Sequence, residues 1–168
     1  PDWPDDLPLI LVADDPLQAL ERIGRAARFR SHAKIIAVTG SVGKTSAKDL
    51  MAAACSAGRR TTANERSFNN EQGLPVTILN APDDTEVLIL EMGMREIARP
   101  DIGVVTVVGH AHTELVGGLD GVAMAKGELV AALPATGTAV LNADDERVAA
   151  MRSRTRADVV TYGAAGDV

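Results

Sequence analysis

Lys34-Ile35-Ile36-Ala37-Val38-Thr39 runs directly into Gly40-Ser41-Val42-Gly43-Lys44-Thr45-Ser46, and then into an Ala-rich stretch that Gly58 closes. The first six residues are a short, apolar, β-branched strand. The stretch from Lys44 to Ala57 has helical composition and a glycine stop. Between them, Gly40 and Gly43 let the backbone curl so that successive N–H groups point at anionic oxygens. Lys44 adds a positive charge suited to the β and γ phosphates of a nucleotide, and the Thr45 hydroxyl can hold magnesium. The helix that follows turns its positive end on the same phosphates. Val38 stands where the usual GxxxxGK[ST] pattern has its first glycine. A plain Gly-rich turn before a helix is the competing reading, and strand, loop and helix together argue against it.

Working outward, the same alternation repeats. Arg59–Ala63, Glu86–Glu91, Ile102–Val108, Thr138–Asn142 and Asp158–Tyr162 read as strands. Leu74–Asn80, Asp120–Leu133 and Asp144–Arg154 read as helices. Strands with continuous apolar runs, separated by helices, indicate an α/β fold: a three-layer P-loop NTPase-like domain with a mostly parallel sheet. Upstream, Asp15-Pro16-Leu17-Gln18 marks a helix start, with Leu17, Leu20, Ile23 and Ala27 as its apolar stripe. Residues 1–33 read as a linker and a helix from the end of an upstream segment, and 34–168 as the central domain. Between Glu91 and Ile102 there are too few residues for a helical crossover between neighbouring parallel strands, which takes roughly a dozen or more. Either these strands are not neighbours joined in the usual way, or sequence is shortened there, and the second reading is favoured.

Composition narrows the function. The 168 residues are 46% hydrophobic and 24% charged, an ordinary globular balance sufficient for one core. Aromatic residues are 2%, too few for a surface on which bases stack, and the net charge of −6 gives no general attraction to a polyanion. Phosphate binding must therefore be local. Cys55 is the sole cysteine, so no internal disulfide forms and a reducing cytoplasm fits. No apolar run reaches membrane-spanning length. The absence of an NKxD string argues against a guanine-specific switch.

Several other residues sit where ligands bind in such folds, each with an ordinary alternative. Glu91 ends an apolar strand, where a carboxylate points into the ligand crevice and can bind the magnesium of a nucleotide; many strands simply end in a charge. His110 and His112 follow a strand and suit a metal or phosphate contact, or an ordinary surface loop. Lys126 lies in a helix, where a solvated cation is the usual reading. Asn69-Asn70 reads as a polar turn, and Asp144, after Asn142, as a helix cap.

The order of the blocks is more specific than any one of them. GSVGKTS, SFNNEQGLPVT, LEMGM, GHAHTE, GVAMAKGELV and AVLNADD, in that sequence, resemble the central domain of the Mur ligases, from about Val12 to Gly163. The resemblance is nearest to the member that joins D-alanyl-D-alanine to UDP-N-acetylmuramoyl-tripeptide. It implies a cytoplasmic, monomeric ATP-dependent carbon–nitrogen ligase of peptidoglycan synthesis, with ATP and magnesium as cofactors. Gly40, Ser41, Val42, Gly43, Lys44, Thr45 and Ser46 would then hold the phosphates. Thr45 and Glu91 would take one magnesium; His112 and Lys126, the latter as a carbamate, would take a second. Asn69 and Asn70 would line the substrate crevice, and Asn142 would contact adenine. In such a ligase Lys44, Glu91, His112 and Lys126 carry the catalytic work. Thr113, Val116 and Gly118 depart from the string that the family more often shows. The resemblance further implies a substrate domain before this region and a closing domain after it. Other readings are a folylpolyglutamate- or cyanophycin-type amide ligase, and an ATP-binding module without catalysis.

Overall fold

The structure, a computed structural model, describes residues 14–65, 69–92, 99–109 and 117–168. Its strands are β1 (Lys34–Thr39), β2 (Thr61–Ala63), β3 (Val87–Glu91), β4 (Ile102–Val105), β5 (Thr138–Asn142) and β6 (Asp158–Tyr162). Among the described residues the helices are α1 (Pro16–Arg30), α2 (Lys44–Ser56), α3 (Gly73–Asn80), α4 (Gly118–Ala131) and α5 (Glu146–Ala150). A 3-10 turn over Met151–Arg154 follows α5. The six strands form one sheet in the order β2-β3-β1-β4-β5-β6, and every pairing is parallel.

The alternation of side chains along each strand separates two covered faces. Ile35 and Ala37 of β1, with Leu88 and Leu90 of β3, pack against Leu74 and Ile78 of α3. The same face continues across the sheet through Val105, Ala139 and Leu141, under Val122 and Val130 of α4 and Val148 of α5. Ile89 and Glu91 point the other way, toward α2. The expected three-layer α/β fold is what the chain adopts.

Of the two readings of the short connection after Glu91, the sheet order bears on one: the strands it joins are not neighbours. β3 and β4 are parallel but not adjacent, because β1 lies between them: Ile36 pairs with Ile89 on one side and Ile102 on the other. Residues 93–98 of that connection lie outside the described residues. The strand expected over Ile102–Val108 ends at Val105: the Thr106 N–H still reaches Thr39 O at the end of β1, but Val107 O then takes the Ser41 N–H of the loop and Val108 N turns to Asp145. The helix expected over Asp144–Arg154 is α-helical only to Ala150 and tightens into the 3-10 turn.

The helix α1 begins as its sequence suggests, with the Asp15 side chain accepting from the Gln18 N–H at 2.9 Å and Pro16 in the first turn. It packs on α3. Its apolar stripe needs one correction: Ile23 is 39% exposed, and the buried position one residue on is Gly24. A glycine is needed there because a Cβ would lie 2.8 Å from Pro75 Cβ and 2.9 Å from Pro75 Cα. Gly24→Ala should therefore lower the melting temperature. Overpacking costs about 1–3 kcal/mol, against at most about 1 kcal/mol gained in helix propensity. A melting temperature unchanged or raised would show that α1 is not seated on Pro75.

Candidate functional site

The carboxyl ends of the strands gather the polar groups. Thr39, Glu91 and Asn64, the residue that follows β2, are almost completely buried, and each sits where its strand stops. In a parallel sheet this edge is where connecting loops open a crevice for ligands.

The loop after β1 is shaped by its two glycines. Gly43, at φ 83°, adopts the left-handed backbone that caps α2 without any side-chain hydrogen bond, so the first-turn N–H groups of α2 carry no side-chain cap. Gly40, at φ 151°, lies where a Cβ would run into Thr106 Oγ1. Thr106 uses that hydroxyl to donate to the Val42 carbonyl at 2.6 Å. Ser41 donates its backbone N–H to Val107 O at 2.7 Å, and its hydroxyl both accepts from Gly109 N and donates to Gly109 O. The loop is thus pinned from the β4 side while Val42, Gly43, Thr45 and Ser46 stay exposed. Lys44 curls back, its ammonium donating to Gly40 O at 3.0 Å. N–H groups, a helix N-terminus and a cation on one exposed turn form a cradle for phosphate oxygens.

Glu91 is brought to this loop by register. Val38 lies opposite Glu91 in the β1–β3 ladder, so the carboxylate emerges beside the start of α2. The Thr45 hydroxyl donates to Glu91 Oε2 at 2.7 Å, and Asn69 Nδ2 donates to Oε1 at 2.8 Å. A hydroxyl and a carboxylate side by side are hard oxygen donors of the kind magnesium takes. That donor set fits a magnesium held with a nucleotide. Among the described residues no group of three or more His, Cys, Asp or Glu converges on one point. His110 and His112 lie outside the described residues, as do Thr113 and Val116.

Lys126, in α4, is buried. Its ammonium is lowered from the usual lysine range to about 8, first by desolvation and then by the charge of Lys44. Nucleophilic amine chemistry needs the neutral form, and about a tenth of such a group is neutral at pH 7.

The remaining expectations divide. Asn70 serves the turn into α3, its Oδ1 accepting from Gly73 N at 2.8 Å. Asn142 donates from Nδ2 to Thr106 O and accepts at Oδ1 from Asp144 N, both at 2.9 Å, which fixes the amide at the end of β5. The cap of α5 is Asp145, not Asp144. Asp144 instead accepts the N–H groups of Ala164 and Ala165, while Asp145 also takes Val108 N at 2.7 Å.

Sequence reasoning missed three residues here. Thr106 pins the loop, as described. Asn64, 1% exposed, accepts the Glu91 N–H at Oδ1 (2.8 Å) and donates from Nδ2 to Glu91 O (3.3 Å). Lys48, 3% exposed, donates to Asn64 O at 2.7 Å and pairs with Asp49. A peptide group left unpaired in such a place costs about 1–3 kcal/mol. The available signal was positional: Asn64 directly follows a strand at the same sheet edge as Glu91, and Lys48 lies one helical turn past Thr45 and Lys44.

Comparison with known proteins bears on this geometry. A family model described as the Mur ligase middle domain matches residues 38–168. A UDP-N-acetylmuramoyl-tripeptide–D-alanyl-D-alanine ligase of Mycobacterium tuberculosis is 50% identical over 135 residues, covering 75% of this chain and 26% of that protein. Among solved structures, MurF from Acinetobacter baumannii superposes with a TM-score of 0.87 at 28% identity, over 99% of this chain and 39% of that one. MurF from Thermotoga maritima in complex with ADP gives 0.85 at 26% identity, over 99% and 41%. The chain spans about a quarter of the length of the curated relative and about two fifths of these structures.

The buried ammonium of Lys126 makes a pH prediction. Because its folded value is lowered, the unfolded chain binds more protons between about pH 8 and the ordinary lysine range, so this group's contribution to stability rises with pH through that window. Below pH 8 its penalty is present in full. In carbonate-free buffer, the wild type should gain stability to urea relative to Lys126→Met as pH rises from 8 to 10. A constant difference between the two would show that the ammonium is solvated.

Proposed function

The chain belongs to the Mur ligase family, whose middle domain it carries, and from this we propose that it is the nucleotide-handling part of an ATP-dependent amide ligase that joins D-alanyl-D-alanine to UDP-N-acetylmuramoyl-tripeptide. The observation that carries the reading is the meeting of an uncapped Gly-rich loop, Lys44, Thr45 and Glu91 at one sheet edge.

In this reading the N–H groups of Gly40 to Ser46 and the Lys44 ammonium hold the nucleotide phosphates. Thr45 and Glu91 hold the magnesium that accompanies them, and its charge offsets what develops on the transferred phosphoryl group. Asn142, at the end of β5, lies on the adenine side, and Asn69 orients Glu91 and borders the crevice with Asn70. Lys126, with its easily reached neutral amine, reacts with carbon dioxide to give a carbamate and release a proton. A buried cation beside Lys44 becomes an anion, and with His112 it forms a second magnesium site.

The reaction so served passes the γ-phosphoryl group to the carboxylate of the muramyl tripeptide. The free amine of D-alanyl-D-alanine then attacks the carbonyl carbon, the C–N bond forms, and phosphate leaves as the amine gives up its proton. Both reactants must be held at once, and much of the rate comes from that positioning. We assign the acid and amine sites largely to chain outside these 168 residues, in keeping with the share of its relatives that the chain spans. We place its action in the cytoplasm, in keeping with a single cysteine and no internal disulfide.

Two measurements test this. In the full-length protein, phosphate release from ATP should require both the muramyl tripeptide and D-alanyl-D-alanine; release independent of the acid or the amine would overturn the ligase reading. In the 168-residue chain, Lys44→Ala should reduce ATP affinity by at least about tenfold with an unchanged melting temperature, the loss of one charge-assisted phosphate contact being about 1.5–3 kcal/mol. Unchanged affinity would remove the loop from the phosphate site.

A further inference from the structure

We infer that Asn64, anchored by Lys48, is the residue that positions the Glu91 carboxylate, an assignment that rests on reading Glu91 as a magnesium-holding group. The β2–β3 ladder ends where Ala63 pairs with Ile89. The Asn64 N–H still reaches Ile89 O at 3.3 Å, but no further strand residue continues the ladder to Glu91. On this side of β3 the Glu91 N–H and C=O would otherwise face a gap. The Asn64 side chain fills it, accepting from the Glu91 N–H and donating to the Glu91 carbonyl. A primary amide offers a donor and an acceptor in one plane, as a peptide group does, so the side chain stands in for the missing ladder residue.

The consequence reaches the carboxylate. Holding the peptide groups on both sides of the Glu91 Cα fixes the direction of its Cα–Cβ bond, leaving the side-chain torsions to be set by Thr45 on one oxygen and Asn69 on the other. Lys48 closes the circuit. It lies on α2 one turn beyond Thr45, and its ammonium holds the Asn64 carbonyl. The helix therefore grips the end of β3 twice, at the carboxylate through Thr45 and at the peptide group through Lys48 and Asn64. Both Asn64 and Lys48 are buried, so water has little access to compete. This is how a residue without metal contact sets the geometry of one that has it.

The alternative is that Asn64 merely closes a sheet edge, in which case its loss lowers stability and nothing else. Magnesium dependence separates the two. ATP binding to the 168-residue chain is measured by calorimetry across a magnesium series and again with EDTA, for wild type, Asn64→Ala and Glu91→Gln. Asn64→Ala should raise the half-saturating magnesium concentration by about tenfold, the lower end of the effect of losing an outer partner of a metal ligand, while ATP affinity in EDTA is unchanged. A folded Asn64→Ala with wild-type magnesium dependence overturns the positioning role. Wild-type magnesium dependence in Glu91→Gln overturns the metal reading of Glu91 itself, and with it this inference. If Asn64→Ala does not fold, Lys48→Met carries the test: a raised half-saturation supports the circuit, and an unchanged one overturns it.

Discussion

The hydrogen bond from Thr45 to Glu91 joins residues 46 apart in sequence, and the site is organised around it. It exists because β1 and β3 are parallel neighbours in a register that sets Val38 against Glu91. Shift that register by one residue and the carboxylate moves to the apolar face under α3, while Leu88 and Leu90 leave that face for the α2 side. The apolar packing of the sheet therefore sets where a polar group stands on its other face. Ile35, Ala37, Leu88 and Leu90 hold the register on one face, and Glu91 appears beside α2 on the other because of it.

Much of this was legible in the sequence, for a physical reason. Strands buried on both faces show as unbroken apolar runs, and the glycines of the loop after β1 mark the backbone curl directly, so the layers, the parallel sheet and the curled loop follow from local pattern. What stayed hidden depends on which strands become neighbours. The length of the connection after Glu91 could not say whether β3 and β4 are neighbours, and β1 separates them. Asp144 and Asp145 are equally good caps by composition. Asp145 takes the role while Asp144 binds the N–H groups of Ala164 and Ala165, twenty residues on, a contact that no local window contains. In α1, the Leu17, Leu20, Ile23 and Ala27 stripe is helical as read, but the residue that seats it is a glycine, invisible to a search for apolar side chains.

The charges show the same dependence on placement. With a net charge of −6 the chain as a whole gives no attraction to anions, so any anion at the loop after β1 would depend on a few oriented groups. Lys44 lies in the loop, and its charge adds to desolvation in lowering the Lys126 ammonium. Lys48 is separately paired with Asp49 and donates to the Asn64 carbonyl. Two neighbouring lysines, one buried, are a poor way to stabilise a fold, since desolvation and repulsion act in the same direction.

The distribution of buried polar groups carries this further. Burying a polar side chain is unfavourable unless it is fully hydrogen-bonded, and the interior of this sheet is otherwise Ile, Leu, Val and Ala. Yet Thr39, Asn64 and Glu91 end successive segments at one edge, with Lys48 and Lys126 brought in from helices on opposite faces. Among the described residues, no buried side-chain nitrogen or oxygen lacks a hydrogen-bond partner. A core could be closed at this edge with aliphatic residues and fewer constraints. Instead the closure uses an asparagine amide in place of a strand, a lysine in place of a cap, and a carboxylate held at both oxygens. Each substitution of polar for apolar narrows the positions Glu91 can occupy. The edge is built to fix one carboxylate beside one loop, and its stability follows from satisfying the groups that do so.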